Sequence, residues 1–278
     1  MRRQLTWAAA AVISALLAAT ACHRAAPRIV RICADPNNLP YSTRQADGFE
    51  NRLANLFASD RGARLEYTWS AQRRGFLRTT LNAGRCDVVM GLPTGTAAVL
   101  TTRPYYRSTY VFVSRRESKL DITSLDDPRL RRLRVGVQMI GDDGTNSPPA
   151  HALSRRGIVS NVVGFSVFGD YANPSPLLPI VAAVGRGEVD VALVWGPIAG
   201  FFARTAPAPL ALRPIEPTDS PATYPLSFDI SMAVRRDDEA LRAELDDFIV
   251  RRRADIDRVL ADYGVPIARD EGHETVDP

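Results

Sequence analysis

Polar and aromatic side chains in loops that follow predicted strands are the groups in this sequence best suited to bind a small molecule. Asp35, Asn37 and Asn38 follow the first predicted strand, and Trp195 follows a later one. In α/β folds, ligands bind at the carboxyl ends of parallel strands, where loops and helix N-termini present free N–H groups. The spacing therefore predicts a non-covalent site that is assembled from several loops.

The same rule collects candidates from two separate parts of the chain. The predicted ligand-binding residues are Asp35, Asn37, Asn38, Tyr41, Pro93, Thr94, Asp142, Asp143, Thr145, Asn146, Trp195 and Gly196. Two alternatives stay open. In one, Asp35, Asn37 and Asn38 only cap a turn and a helix. In the other, Trp195 is a core residue.

Three more side chains near these loops are assigned structural roles. Glu50 opens a predicted helix and is interpreted as a capping or surface residue. Tyr105 and Tyr106 are interpreted as packing residues between the two parts of the fold.

Catalytic chemistry has few candidate residues. The sequence contains neither a Gly-x-Ser-x-Gly elbow nor a phosphate-binding Gly-x-x-x-x-Gly-Lys loop. Lys119 is the only lysine and lies away from the candidate loops. The loops therefore have no lysine to act with a glutamate in proton transfer. We therefore predict no catalytic residue, no enzyme activity and no cofactor.

Metal binding is also poorly supported. Asp142, Asp143 and Asn146 supply hard oxygens, but their spacing is not that of an EF-hand and no glutamate completes the set. The histidines show no zinc-ligand spacing. No metal site is predicted.

The first 22 residues predict export. A positive start is followed by an apolar run over residues 7–19 and by the small-residue pattern Ala19-Thr20-Ala21, which is typical of a signal peptide spanning residues 1–22. Cys22 is a candidate for lipidation, although Ala19 replaces the leucine preferred three positions earlier. The predicted location is the periplasm, with a lipid anchor at Cys22 as the open alternative to a freely soluble protein.

Two cysteines remain after cleavage, Cys33 and Cys86. An even number of cysteines in an oxidising compartment favours a disulfide, which would close a loop of about 50 residues. The alternative is a pair of buried free thiols.

Composition and patterning predict an α/β fold in two lobes. The chain has 278 residues, of which 45% are hydrophobic and 24% charged, enough for two apolar cores. Strand and helix patterns alternate, which favours mainly parallel sheets. The formal net charge is +4 but the arginines form no dense stripe with interleaved aromatic residues, so no nucleic-acid partner is predicted.

A weak internal repeat sets the predicted domain boundaries. Residues 84–90 (GRCDVVM) are echoed by residues 187–194 (GEVDVALV). The first lobe is predicted to be discontinuous, over residues 28–112 and 228–270. The second lobe is predicted over residues 113–227, with two extended hinge crossings between the lobes. Residues 271–278 are predicted to form a flexible tail.

Residues 28–267 resemble the type II extracellular solute-binding proteins, the class that contains polar amino-acid binders. The resemblance lies in the Gly48-Phe49-Glu50 helix start, the Arg103-Pro104-Tyr105-Tyr106 segment and the return strand at residues 231–238. It implies a two-lobed periplasmic-binding-protein fold that closes about a hinge on its ligand.

A narrower resemblance is to the quinoprotein dehydrogenase-associated, MoxJ/XoxJ-like subfamily. It is carried by residues 33–40 (CADPNNLP), 72–76 (QRRGF), 102–110 (TRPYYRSTY) and 194–200 (VWGPIAG). It implies an accessory role beside a PQQ-dependent methanol or alcohol dehydrogenase, with that quinoprotein dehydrogenase or its cytochrome as partner. The alternative is the substrate-binding component of an ABC importer, with an ABC permease as partner and a small ligand of unknown identity.

The chain departs from the amino-acid binders at two positions. The arginine that clamps the α-carboxylate in those proteins corresponds to Gly95, and the aspartate that holds the ammonium group corresponds to Trp195. Desolvating an amino-acid zwitterion without these partners would cost several kcal/mol. The ligand is therefore predicted not to be an amino acid.

Overall fold

The computed structural model of the protein describes residues 28–140, 146–167, 173, 175–216 and 224–268. The strands are β1 (Ile29–Ala34), β2 (Asn37–Asn38), β3 (Ser42–Thr43), β4 (Arg64–Trp69), β5 (Val88–Pro93), β6 (Leu100–Arg115), β7 (Val135–Met139), β8 (Val162–Ser166), β9 (Val191–Trp195), β10 (Leu210–Pro214) and β11 (Ser227–Val234). The α-helices are α1 (Phe49–Asp60), α2 (Phe76–Thr79), α3 (Pro148–Arg155), α4 (Leu178–Gly185), α5 (Gly196–Ala203), α6 (Glu239–Arg251) and α7 (Arg253–Asp262).

A nine-stranded mixed sheet forms the centre of the molecule. Its order is β4-β1-β5-β11-β6-β9-β7-β8, with β10 also paired to β6. Strands β4, β1 and β5 are parallel, as are β8, β7 and β9, whereas β6 runs antiparallel to β11, β9 and β10. This arrangement confirms the predicted α/β class. The predicted lobe boundaries stay a prediction.

Strand β6 is the structural link between the two parts of the sheet. Its first part pairs with β11 and its last part pairs with β9 and β10. We call the part with β4, β1, β5 and β11 the first half, and the part with β9, β7, β8 and β10 the second half. The sixteen residues of β6 are long enough to belong to both.

Each half has its own apolar core. In the first half, Phe49, Leu53 and Phe57 project from one face of α1 and are at most 1% exposed, and Phe57 packs edge-on against Phe248 of α6. In the second half, α4 is apolar on most of its surface because it lies buried against the sheet. Burial of these side chains, at about 25 cal/mol per Å² of apolar surface, is what holds the helices on the sheet.

Cys33 and Cys86 form a disulfide, which confirms the predicted bridge. Cys33 lies in β1 and Cys86 precedes β5, with 5.5 Å between their Cα atoms. Both are buried, and the bridge joins two neighbouring strands of the first half.

Helix α5 of the second half also contacts the first half. Phe201 stacks on Tyr263 with ring centroids 5.7 Å apart, and Gly200 lies directly against the backbone of Gly264. The arrangement leaves no room for a side chain at position 200, because an added Cβ would meet the Gly264 carbonyl oxygen.

We expect Gly200→Ala to lower the free energy of unfolding by about 2 kcal/mol, because the methyl group would force two backbone segments apart. Chemical denaturation of both proteins measures the difference. In an ordinary helix interior the same substitution raises stability by about 1 kcal/mol. A stabilised variant would therefore show that α5 and residue 264 do not make this close approach.

Two predicted segments, the signal peptide at 1–22 with Cys22 and the tail at 271–278, lie outside the described residues. Within the described ranges, we find no helix with the length and apolarity needed to cross a bilayer.

Candidate functional site

A cavity of about 330 Å³ opens between the two halves of the sheet. Its walls come from the loops after β1 and β4, the starts of α1 and α3, the end of β5, the middle of β6, the junction of β9 with α5, and β11. The lining residues are Asn38, Tyr41, Glu50, Gln72, Gly91, Leu92, Pro93, Tyr106, Tyr110, Pro148, Trp195, Phe228 and Ile230. Carboxyl ends of strands thus supply much of this site, as the rule for α/β folds requires.

Trp195 is the centre of the aromatic wall. It ends β9 and is the N-cap residue of α5, which begins with Gly196 and Pro197. Its ring meets Tyr110 edge-on at 5.2 Å and Phe228 edge-on at 5.7 Å. The wall therefore joins both halves of the sheet through fixed aromatic contacts.

Glu50 is the acidic group of the cavity, which differs from its predicted role as a capping or surface residue. The helix start is capped by Asn51, whose side-chain oxygen accepts the N–H of Gly48 at 3.2 Å. Glu50 instead occupies the space that the missing side chain of Gly91 leaves open. Burial raises the pKa of Glu50 to about 8, and the negative charge of Asp35 acts in the same direction.

Asp35 is predicted to bind ligand, but the structure gives its carboxylate a structural role. It is 4% exposed, and its two oxygens accept the backbone N–H groups of Asn37 at 2.9 Å and Gln72 at 2.7 Å. The carboxylate therefore fixes the two loops that carry Asn38 and Gln72 into the cavity. These bonds are those that the turn-capping alternative predicts, and ligand binding by Asp35 stays a prediction.

We expect Asp35→Ala to lower the free energy of unfolding by about 2 kcal/mol, because two backbone amides would lose their acceptor. Urea denaturation of both proteins measures the loss. Asp237→Ala, at an exposed position in the turn before α6, is the control and should change stability by less than about 0.5 kcal/mol. Equal effects at the two positions would contradict the structural role of Asp35.

Four other predicted residues lie beside the cavity without lining it. Asn37 donates its amide to the carbonyl of Asn173, and the Thr94 hydroxyl bonds to Ser231 at 2.7 Å and to the carbonyl of Asp229. The N–H of Asn146 faces the ring nitrogen of His151 at 3.4 Å, and Gly196 is buried at the start of α5. Ligand binding by these four residues stays a prediction.

Four of the predicted residues do line the cavity: Asn38, Tyr41, Pro93 and Trp195. Asp142, Asp143 and Thr145 lie outside the described residues.

Gly95 lies in the exposed turn after β5, two residues beyond the cavity residue Pro93. Its backbone has a φ of 78°, and an added Cβ would meet nothing within 4 Å. Position 95 therefore contributes no side chain to the cavity, and its correspondence to the clamping arginine stays a prediction.

Sequence reasoning missed Gln72, Gly91, Tyr110 and Phe228 as wall residues. Gly91 lies inside β5, directly after Met90, and a glycine inside a strand is a signal of close approach by another group. Tyr110 and Phe228 lie on strands that meet only through long-range antiparallel pairing, which no local pattern encodes.

The cavity is suited to binding by shape, aromatic contact and one carboxyl group. Among the described residues that line it, none is an arginine or a lysine, and none is a serine, cysteine or histidine. Among the residues that the structure describes, no group of three or more histidine, cysteine, aspartate or glutamate side chains is placed to hold a metal ion.

Comparison with known proteins gives one family match that covers almost all of the described chain. The family model of bacterial extracellular solute-binding proteins, family 3, matches residues 30–265. The chain is 32% identical over 246 residues to Protein MoxJ of Methylorubrum extorquens, which covers 86% of this chain and 81% of that protein.

Two solved structures show the same arrangement. The periplasmic binding protein XoxJ from Methylobacterium extorquens AM1 matches with a TM-score of 0.71 and 32% identity, covering 87% of this chain and 100% of that one. MxaJ from Methlophaga aminisulfidivorans MPT matches with a TM-score of 0.72 and 29% identity, covering 86% and 100%. The chain therefore belongs to the bacterial extracellular solute-binding proteins of family 3, and within them to the MoxJ/XoxJ-like group.

Proposed function

We propose that the protein is a periplasmic accessory of a PQQ-dependent methanol or alcohol dehydrogenase system. In this role it acts by binding the quinoprotein dehydrogenase or its cytochrome, and it carries out no chemical step itself. The observation that carries the proposal is the agreement with MoxJ and XoxJ over 81% and 100% of their lengths. The four dispersed motifs at residues 33–40, 72–76, 102–110 and 194–200 are those of the quinoprotein dehydrogenase-associated subfamily.

The cavity supports a function other than amino-acid uptake. An amino-acid site needs a cation for the carboxylate and an anion for the ammonium group. Here Trp195 stands in the wall and Gly95 lies in an exposed turn. An amino acid would therefore lose hydration at its carboxylate without gaining a cationic partner from the lining residues.

Export is part of the proposal. The apolar start of the chain, the small-residue pattern at residues 19–21 and the Cys33–Cys86 bridge all favour an oxidising compartment. Lipidation at Cys22 stays the alternative to a freely soluble form.

Co-elution with the dehydrogenase tests the accessory role. The mature protein and the purified quinoprotein dehydrogenase of the same organism are mixed and passed through a size-exclusion column, and dehydrogenase turnover is measured with and without the protein. We expect a shared peak or a change in turnover. Separate peaks and unchanged turnover with both the dehydrogenase and its cytochrome would contradict the proposal.

Delivery of a solute to an ABC importer is the second candidate, and the cavity between the two halves is the observation that favours it. In that function, a solute that contacts both halves would stabilise a closed form by its differential affinity. Permease and ATPase genes beside the gene for this chain would favour import. Dehydrogenase and cytochrome genes there would favour the accessory role.

A further inference from the structure

We propose that the cavity between the two halves binds a small organic cation, an alkylated ammonium without a carboxylate, held by Glu50 and by the surrounding aromatic rings. The proposal does not depend on the dehydrogenase partnership, because it concerns the isolated chain. It assigns a ligand class to the cavity and a binding role to Glu50.

The charges of the lining residues favour a cationic ligand. Among the described residues that line the cavity, Glu50 is the only one with a carboxyl group, and none is an arginine or a lysine. The nearest charge that acts on it is another acid, Asp35. Elsewhere in the described chain, arginines pair with most of the aspartates, including Asp87 with Arg31 at 2.7 Å. A carboxyl group left without a cation inside a cleft is completed by a cationic ligand.

The aromatic rings of the cavity favour an alkylated ammonium group. Five rings face the same space: Tyr41, Tyr106, Tyr110, Trp195 and Phe228. The faces of such rings are electron-rich and attract cations, and alkylated ammonium groups are the ligands that aromatic cages recognise. A neutral apolar ligand would gain apolar contact with the rings. It would, however, leave the carboxyl group of Glu50 desolvated and without an interaction with the ligand.

The wall is also held in place before a ligand arrives. Gly91 leaves the space that Glu50 occupies, and the Trp195 ring packs edge-on against Phe228 with ring centroids 5.7 Å apart. Because these groups belong to both halves of the sheet, little ordering is needed on binding.

A carboxylate on the ligand would be rejected. It would lose its hydration in the cavity and gain no clamping cation from the described lining residues. The ligand class therefore excludes amino acids with cationic side chains.

Binding of such a cation should release a proton at neutral pH. Burial favours the protonated form of Glu50 in the empty cavity, and a cation beside it favours the carboxylate. The release gives a signal that a purely apolar ligand would not produce.

A matched pair of probes tests the proposal. Choline and 3,3-dimethylbutan-1-ol have nearly the same shape but differ by one positive charge. We expect choline to bind the isolated protein in isothermal titration calorimetry at least about tenfold more tightly than the alcohol. Titrations at pH 7 in buffers of different ionisation enthalpy should show release of about one proton.

Two variants identify the group that binds the charge. Glu50→Gln should weaken choline binding at least about tenfold and abolish proton release, while the fold stays intact because glutamine matches the shape of the protonated acid. Glu216→Gln, at an exposed position outside the cavity, should leave the choline affinity and the proton release unchanged. Equal binding of the two probes, no choline binding up to about 10 mM, or an undiminished affinity in Glu50→Gln would overturn the proposal.

Discussion

Replacing both Cys33 and Cys86 with alanine should lower the free energy of unfolding by about 4 kcal/mol. The bridge spans 53 positions of the sequence, so it removes much of the conformational freedom of the unfolded chain. It also joins β1 to the start of β5, next to the loop that Asp35 fixes at the cavity. Urea denaturation under oxidising conditions measures the difference.

Reduction of the wild-type protein is the matched control for this variant. The reduced protein should unfold at the same urea concentration as the double alanine variant, because both lack the same cross-link. A wild-type protein whose stability is unchanged by complete reduction would contradict the contribution assigned to the bridge.

The stability of the protein should also depend on pH through Glu50. Its pKa in the folded protein is about 8, above the ordinary value of 4.5. Between these values the folded state binds the proton more tightly than the unfolded state does. Stability is therefore lost as the pH rises through this window, and the loss is complete above the folded-state pKa. We expect wild-type stability to fall by about 2 kcal/mol between pH 5 and pH 7, relative to Glu50→Gln.

The comparison with Glu50→Gln isolates this single group. Both proteins carry the other titrating side chains, so the difference between their unfolding curves at each pH reports Glu50 alone. Glu216→Gln changes an exposed residue outside the cavity and serves as the control substitution. A difference between wild type and Glu50→Gln that does not change with pH would show that Glu50 is ionised and solvated in the folded protein.

Much of the fold was predictable from the sequence because the elements have strong local patterns. The helix that is predicted to open at Glu50 is α1, and Phe49, Leu53 and Phe57 are buried on one of its faces. The even cysteine count after cleavage predicted the disulfide. Strands β8 and β10 were not predicted, because their exposed and buried positions do not alternate.

The binding site was less predictable because its wall depends on long-range pairing. The rule for strand ends found Asn38, Tyr41, Pro93 and Trp195, which line the cavity. The rule also selects Asp35, which does not line the cavity, because it takes any polar residue in the loop after a strand. It cannot tell a side chain that fixes the loop from one that lines the cavity.

Glu50 was interpreted as a capping or surface residue, but it lines the cavity. An acid in the first turn of a helix is most often a dipole partner, and its true environment depends on Gly91, about 40 residues further along the chain. The pairing of β11 with β6, which brings Phe228 to the same wall, is equally distant in sequence.

Thermal unfolding of the mature protein with each L-amino acid at about 1 mM tests the central claim that this cavity no longer recognises amino acids. A binder with a micromolar dissociation constant would gain about 4 kcal/mol and shift its melting temperature by roughly 10 °C. We predict no shift above about 1 °C for any of them, including arginine and lysine. A shift of several degrees with even one amino acid would contradict the account.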